Sequence, residues 1–181
     1  LPATGQADEL FGTAVAASGD VLVVGAPART PEGAAYVFVR SGTSWLLQGE
    51  VAIPPNQHQP KNRTGAVAIH GDTLVVAAPR DDSGPSGQVG AAYVFRRTGT
   101  VWSQEARLAK PPPSAEGFAT SVAVGGDVVL VGHPTDNPFG GGSDYGSVHV
   151  FVRDAGVWAL DQSLTVPGLN QKPRLGESVA F

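Results

Sequence analysis

The 181-residue chain contains no cysteine and no methionine. Without cysteine it can form no disulfide, and it offers neither a thiolate metal ligand nor a thiol nucleophile. Only 15% of the residues are charged and the formal net charge is −4, which excludes the strongly basic composition typical of nucleic-acid binding. No run of residues approaches the ~20 consecutive apolar positions of a membrane-spanning helix. Because methionine is absent, Leu1 is not a translational start, and we expect these residues to be part of a longer or processed chain.

Glycine and proline are abundant, with 24 and 15 copies, and 41% of the residues are hydrophobic. That hydrophobic fraction is too high for a disordered polyelectrolyte, and a chain of this length buries about 70% of its unfolded surface. No segment keeps a helical period over about eleven residues. Short runs of β-branched and aromatic residues instead alternate with glycine-containing turns, a pattern typical of β-strands. The composition therefore predicts an all-β protein.

Two sequence patterns each occur three times along the chain. The copies of FGTAVAASGDVLVVGAP and of AAYVFVRSGTSW occupy residues 11–27, 63–79 and 118–134, and residues 34–45, 91–102 and 147–158. A fourth copy begins at residues 175–181. The three tryptophans, which close the second pattern, are 57 and 56 residues apart. This regular spacing indicates a structural repeat of about 55 residues.

Each copy predicts four short strands. In the first copy, Gly19-Asp20 forms a tight turn after the inner strand, residues 21–27 form a buried second strand, and residues 34–40 and 45–51 form the third and fourth. Four antiparallel strands repeated at this period predict the blade of a β-propeller. The chain then contains three full blades plus the first strand of a fourth, with boundaries at residues 1–53, 54–110, 111–166 and 167–181.

The lengths of the connections indicate where a ligand would bind. In every copy, twelve residues separate the inner-strand valine from the proline after the second strand, whereas 9, 14 and 15 residues separate that proline from the third-strand ring. The variable loops between strands 2 and 3 share one face of a propeller, and function concentrates on such loops. Their candidate contact residues are Arg80, Asp81, Asp82, Asp136, Asn137, Asp144 and Tyr145. The alternative is a solvated loop in which Asp and Asn only form turns.

The chain resembles bacterial FG-GAP repeat proteins, whose units are similar to the blades of the integrin α-subunit propeller. The first copy carries the FG pair as Phe11-Gly12 and the GAP motif at residues 25–27, while later copies degrade the pair to Arg63-Thr64, Phe118-Ala119 and Leu175-Gly176. The resemblance implies an extracellular propeller, most often seven-bladed, that binds proteins, glycans or surfaces without catalysis.

The resemblance does not imply a calcium site in this chain. Integrin blades that bind calcium have a loop of several carboxylates between their first two strands, and here that loop is reduced to Gly19-Asp20, Gly71-Asp72 and Gly126-Asp127. One carboxylate cannot supply the six to eight oxygens that Ca²⁺ takes. We therefore expect no cofactor, with calcium in the acidic long loops as the alternative.

Two histidines replace residues typical of the repeat. His133 and His149 stand where the first copy has alanine and tyrosine, and with Asp136 or Asp144 they would make a two-histidine metal site. The intervening loop separates the histidines along the chain, so a pair of coincident substitutions is favoured and no metal site is predicted.

An arginine ends the third strand and a tryptophan opens the fourth strand in every copy. These residues are Arg40, Arg97 and Arg153, and Trp45, Trp102 and Trp158. Such regularity predicts a structural role, in which the arginine stacks on tryptophan or pairs with a carboxylate of the neighbouring blade.

No catalytic motif is present. The sequence has no G-x-S-x-G, no H-E-x-x-H and no phosphate-binding loop, and we predict no enzyme. The favoured function is an extracellular or cell-surface adhesion module that contacts a protein or glycan and spans no membrane. Two alternatives are a structural spacer in a large surface protein, and a hydrolase or lyase with a site in the propeller channel. The ring would close through the remainder of a longer chain, or by self-association if the chain is complete.

Overall fold

The computed structural model describes residues 9–29, 33–54, 65–81, 90–110, 117–139, 144–167 and 173–181. These ranges contain twelve β-strands in three four-stranded antiparallel sheets. Within the same ranges there is no helix long and apolar enough to cross a membrane. The all-β prediction is confirmed.

Every sheet is a simple meander whose strands lie in chain order. Blade 1 comprises β1 (Val15–Ser18), β2 (Val21–Ala26), β3 (Ala34–Ser41) and β4 (Ser44–Ala52). Blade 2 comprises β5 (Val67–His70), β6 (Thr73–Ala78), β7 (Ala91–Thr98) and β8 (Val101–Leu108). Blade 3 comprises β9 (Ser121–Gly125), β10 (Val128–His133), β11 (Ser147–Asp154) and β12 (Val157–Leu164). Each sheet lies within one predicted blade, while the exact blade boundaries stay predictions.

Glycine-aspartate turns join the first two strands of each blade. Gly19 has φ +58°, a left-handed conformation that glycine adopts without strain. The next residue, Asp20, accepts hydrogen bonds from Arg40 at its backbone oxygen (2.8 Å) and at its carboxylate (2.7 Å). The same two bonds recur between Asp72 and Arg97. These aspartates therefore hold a turn against the end of the third strand.

The three sheets pack side by side. Inner strands β1, β5 and β9 contact one another in sequence, and outer strand β8 contacts β12. Side chains on β6 alternate between the two neighbours, as a pleated strand requires. Leu74 and Val76 pack in the core shared with blade 1, and Val75 and Ala77 pack in the core shared with blade 3. The predicted arrangement of adjacent propeller blades is confirmed.

The outer strand of each blade carries a β-bulge at one residue. The ladder between the third and fourth strands skips Gln48 in blade 1, Glu105 in blade 2 and Asp161 in blade 3. Glu105 accepts hydrogen bonds from Arg153 (2.6 Å) and from the indole of Trp158 (2.9 Å), both in the next blade. The prediction that the repeated arginine pairs with a carboxylate of the neighbouring blade is confirmed at this interface.

The fourth copy begins by docking on blade 3. Leu175 forms a bridge with Gly146, and Ser121 donates a hydrogen bond to the backbone oxygen of Gly176 (2.8 Å). A Cβ added to Gly146 would lie 2.2 Å from the oxygen of Leu175. Among the described residues 173–181, the backbone pairing with blade 3 is thus an isolated bridge.

Candidate functional site

A polar cluster underlies the loop between strands 2 and 3 in each blade. It combines the second residue after the proline that follows the second strand, a ring on the third strand, and the residue paired with that ring on the fourth strand. These three positions hold Arg29, Tyr36 and Glu50 in blade 1, Asp81, Tyr93 and Arg107 in blade 2, and Asp136, His149 and Ser163 in blade 3.

The blade 1 cluster is built on a cation. The Arg29 guanidinium lies 3.5 Å from Glu9 and 3.6 Å from Glu50, and Tyr36 donates a hydrogen bond to Glu9 (3.1 Å). The hydrogen bond with Tyr36 and the charge of Glu50 raise the pKa of Arg29. Burial, as the main cause, raises the pKa of the Tyr36 phenol. The ring therefore stays protonated and can donate to a carboxylate.

The blade 2 cluster reverses the polarity. Asp81 is fully buried, its carboxylate accepts a hydrogen bond from Tyr93, and Arg107 lies 3.3 Å away. Burial alone would lower the pKa of Arg107, but the hydrogen bond and charge of Asp81 outweigh it and the pKa is raised. Acid and base have thus exchanged positions relative to blade 1, and each blade still pairs opposite charges.

The blade 3 cluster is the most extended of the three. Asp136, 3% exposed, accepts hydrogen bonds from Lys110 at Oδ1 (2.5 Å) and from Ser147 at Oδ2 (2.6 Å). The Ser147 hydroxyl lies 2.9 Å from Nε2 of His149, whose Nδ1 lies 2.8 Å from the Ser163 hydroxyl. Burial raises the pKa of Asp136, but the hydrogen bonds from Lys110 and Ser147, together with the charges of His133 and Lys110, outweigh it and the pKa is lowered.

The proton positions in this chain of hydrogen bonds follow from its donors. Ser147 has one hydroxyl proton, which it gives to Asp136, so it accepts from Nε2–H of His149. The Nδ1 atom then accepts from Ser163. Burial, aided by the charge of Lys110, lowers the pKa of His149 to about 4. The imidazole is therefore neutral at pH 7.

The residues predicted to line the loop face fall into two groups. Asp81 and Asp136 are buried and their carboxylates bond to groups beneath the loops. Arg80 is exposed, Asn137, Asp144 and Tyr145 are half-buried, and Asp82 lies outside the described residues. The two aspartates thus anchor their loops, while the role of this set in binding stays a prediction.

An exposed aromatic pair lies on the long loop of blade 3. Phe139 is 52% exposed, and its ring meets the Tyr145 ring edge-on at a centroid distance of 5.7 Å. The backbone oxygen of Tyr145 accepts a hydrogen bond from Leu175 (3.0 Å), which fixes that end of the loop. Sequence reasoning selected Tyr145 and missed Phe139. One feature of the sequence could have pointed to Phe139: it is a large aromatic residue in a glycine-rich loop, where no core residue is expected.

The two substituted histidines also meet in blade 3. The His133 and His149 rings lie 5.9 Å apart, and each has a nitrogen within 3.9 Å of Asp136 Oδ2. The loop that separates the histidines along the chain therefore does not separate them in space. His133 pairs with Ser147 across two antiparallel strands, and His149 is two residues further along, so both side chains share one face of the sheet.

Comparison with known proteins agrees with the repeat architecture. A family model described as FG-GAP repeat matches residues 1–38, 65–95 and 102–151, well over half of the chain. A search of curated proteins finds no match. On the strength of these three matched regions and the three stacked blades, the chain belongs to the FG-GAP repeat family.

Proposed function

We propose that this propeller segment is a non-catalytic, extracellular binding module that contacts a protein or glycan through its 2–3 loop face. The observation that carries the proposal is the contact between the exposed Phe139 and the half-buried Tyr145 on the longest of the 2–3 loops. Aromatic side chains dominate binding hot spots because they bury a large area at a small cost in conformational entropy. The pair therefore forms the centre of the proposed contact surface.

Hydrogen bonds hold the two ends of this loop together at its base. Asp136, at its start, is held by Lys110 and Ser147, and Gly146, at its end, donates a hydrogen bond to the backbone oxygen of Asp136 (2.9 Å). Closing the loop at its base restricts the positions that the aromatic pair can sample. Such preorganisation lowers the entropic cost of binding.

The inner strands support the non-catalytic part of the proposal. Strands β1, β5 and β9 read VAAS, VAIH and SVAVG, so His70 is the one titratable side chain on these described inner strands. Acid–base catalysis in the channel requires at least one positioned proton donor or acceptor, usually with a second group beside it. These three blades therefore offer little for channel chemistry.

The test is binding of the purified chain to a glycan array and to a panel of immobilised extracellular proteins. We expect saturable binding that weakens by roughly 30-fold in Phe139→Ala, the effect of a hot spot of about 2 kcal/mol. Tyr145→Ala should weaken it less, because Tyr145 braces the Phe139 ring. Val157→Ala is the matched control, since Val157 is 68% exposed at a turn on the opposite face.

Two outcomes would contradict the proposal. Equal binding by Phe139→Ala, Val157→Ala and the unmodified chain would move the contact surface off this loop. No saturable binding to any component of either panel would favour the structural spacer instead.

A further inference from the structure

Blade 3 differs from its neighbours in the donor atoms buried beneath its long loop. His133, Asp136 and His149 are between 1% and 3% exposed, and one donor atom from each lies within 4.8 Å of the other two. The corresponding positions hold Ala26, Arg29 and Tyr36 in blade 1, and Ala78, Asp81 and Tyr93 in blade 2. His133 is therefore an addition to the shared cluster, and His149 replaces its tyrosine. A nitrogen of each histidine lies within 3.9 Å of the same carboxylate oxygen.

We propose that His133, Asp136 and His149 bind a divalent transition metal of the Zn²⁺ class, which joins the base of the blade 3 loop to strands β10 and β11.

The distances are close to those of a bound ion. Nδ1 of His133 lies 3.8 Å and Nε2 of His149 lies 3.9 Å from Oδ2 of Asp136. Zinc bonds to nitrogen and oxygen of about 2.0–2.2 Å place tetrahedral donors roughly 3.3–3.5 Å apart. Side-chain rotations must close each of these two gaps by about 0.5 Å. The donor atoms of the two histidines lie within 4.8 Å of each other, so that separation must shorten by up to about 1.5 Å.

The donor set selects the kind of metal. Two imidazole nitrogens and one carboxylate oxygen suit Zn²⁺, Co²⁺ or Ni²⁺, whereas Ca²⁺ and Mg²⁺ require shells composed mainly of oxygen. His149 is neutral at pH 7, since burial lowers its pKa to about 4. Its ring proton has only to move from Nε2 to Nδ1, where the Ser163 hydroxyl 2.8 Å away can accept it as a hydrogen bond. Ser163 would thus orient the ligand, as partners of metal-bound histidines commonly do.

Asp136 can bind a metal without releasing its present cation. Lys110 contacts Oδ1, whereas both histidines approach Oδ2. The Ser147 hydroxyl now bridges Oδ2 and the His149 ring, and the metal would replace those two hydrogen bonds. The ammonium of Lys110 opposes a second cation nearby, because charges in a buried site are weakly screened. Lys110 should therefore reduce the affinity for the metal.

The test is calorimetric titration of the chain with Zn²⁺, together with the visible absorption of added Co²⁺, which reports the number and kind of its ligands. We expect one equivalent to bind with low-coordinate Co²⁺ absorption. His133→Ala and His149→Tyr introduce the residues that blade 2 has at these positions, so both variants should fold. Each should lose more affinity than the roughly 10–100-fold expected for the orienting variant Ser163→Ala.

Two further variants separate this site from adventitious binding. Lys110→Gln should bind Zn²⁺ more tightly than the unmodified chain, because it removes the opposing charge. His70→Ala should leave binding unchanged, since His70 is exposed on a different blade. Thermal unfolding monitored by circular dichroism establishes that each variant is folded.

The proposal fails if no stoichiometric Zn²⁺ binding is detected in either the unmodified chain or Lys110→Gln. It also fails if His133→Ala and His149→Tyr retain the affinity of the unmodified chain. If either histidine variant proves unfolded, unchanged affinity in both Ser163→Ala and Lys110→Gln overturns it instead. The metal site stands independently of the proposed loop-face partner, because neither Phe139 nor Tyr145 supplies a ligand.

Discussion

Each of the two interfaces between blades has an apolar core, but the interfaces differ in the residue at the β-bulge of the outer strand. Between blades 2 and 3, Glu105 accepts hydrogen bonds from Arg153 and Trp158. Between blades 1 and 2 the same bulge position holds Gln48. There, among the described residues, the Gln48 side-chain oxygen and the indole nitrogen of Trp102 are buried without a hydrogen-bond partner.

The difference shows what a carboxylate adds at this position. Glu105 has two acceptor oxygens, so one oxygen accepts from the guanidinium while the other accepts from the indole. A glutamine has a single acceptor oxygen, and its amide donors cannot face the guanidinium donors of an arginine. Arg97 instead bonds to Asp72 in its own blade and lies over the Trp102 ring, 5.5 Å from its centroid. Burial of apolar surface therefore holds the blades together at both interfaces, and Glu105 adds hydrogen bonds that fix the geometry of the second interface.

Among the variants that test this difference, Gly90→Ala, where blade 2 meets blade 3, should lower the stability of the protein most. Gly90 has φ +74°, and an added Cβ would lie 2.2 Å from the backbone oxygen of Phe118. Left-handed backbone costs a non-glycine residue about 1–2 kcal/mol and overpacking about 1–3 kcal/mol. We expect unfolding free energy, measured in urea, to fall by roughly 2–5 kcal/mol.

Gly99→Ala is the matched control for the backbone cost alone. Gly99 also has a positive φ, +62°, but an added Cβ would meet no atom within 4 Å. We expect a loss of about 1–2 kcal/mol. Equal losses in the two variants would show that the contact with Phe118 does not hold the joint.

Glu105→Gln should make the second interface like the first. It removes charge-assisted hydrogen bonds, which contribute about 1.5–3 kcal/mol in folded proteins. We expect the free energy of unfolding to fall by an amount near the lower end of this range, because Arg153 keeps its ion pair with Asp127 at 3.6 Å. Asp161→Asn is the control, since Asp161 occupies the equivalent bulge of blade 3 and is exposed. The measurement is urea unfolding at pH 7, and an equal, negligible effect in both variants would contradict a fastening role for Glu105.

The same variant has a defined dependence on pH. Burial raises the pKa of Glu105, but hydrogen bonds from Arg153 and Trp158 outweigh it and the pKa is lowered below its usual value. A carboxyl group whose pKa is lower in the folded state than in the unfolded state stabilises the folded state. The stabilisation is complete above the unfolded-state pKa of about 4.3, and it is lost as the pH falls through the folded-state pKa. The stability difference between the chain and Glu105→Gln should therefore be constant from pH 7 to about 5 and shrink below about pH 4.

The smallest expected effect is a gain from Gln48→Glu at the first interface. A carboxylate there should accept from the Trp102 indole and attract Arg97, as Glu105 does with Trp158 and Arg153. Because Arg97 already bonds to Asp72 at 2.6 Å, we expect only about 0.5–1.5 kcal/mol of added stability. Urea unfolding checks the gain, and Trp102→Phe in the same background should abolish most of it. A neutral or destabilising Gln48→Glu would show that the first interface is too wide for the contact.

Much of the fold was predictable because it depends on local pattern. Turns such as Gly19-Asp20 need a residue that tolerates positive φ, and the alternation of β6 side chains is required by the pleat of any strand. The candidate site was predictable only in outline. Spacing indicated which loops vary, but it gave no reason to separate the inward carboxylates of Asp81 and Asp136 from the half-exposed Asn137.

The sequence by itself determined the repeat, the four strands of each blade and the face on which the loops vary, because these features follow from residue spacing and turn chemistry within one blade. Only the tertiary structure decided that Glu105 reaches Arg153, that His133 meets His149 beside Asp136, and that Phe139 lies exposed on Tyr145. Such contacts depend on the register between strands and on the position of the next blade. A one-residue change of register would turn the strand side chains among them, such as Glu105, His133 and His149, to the opposite face of their sheets.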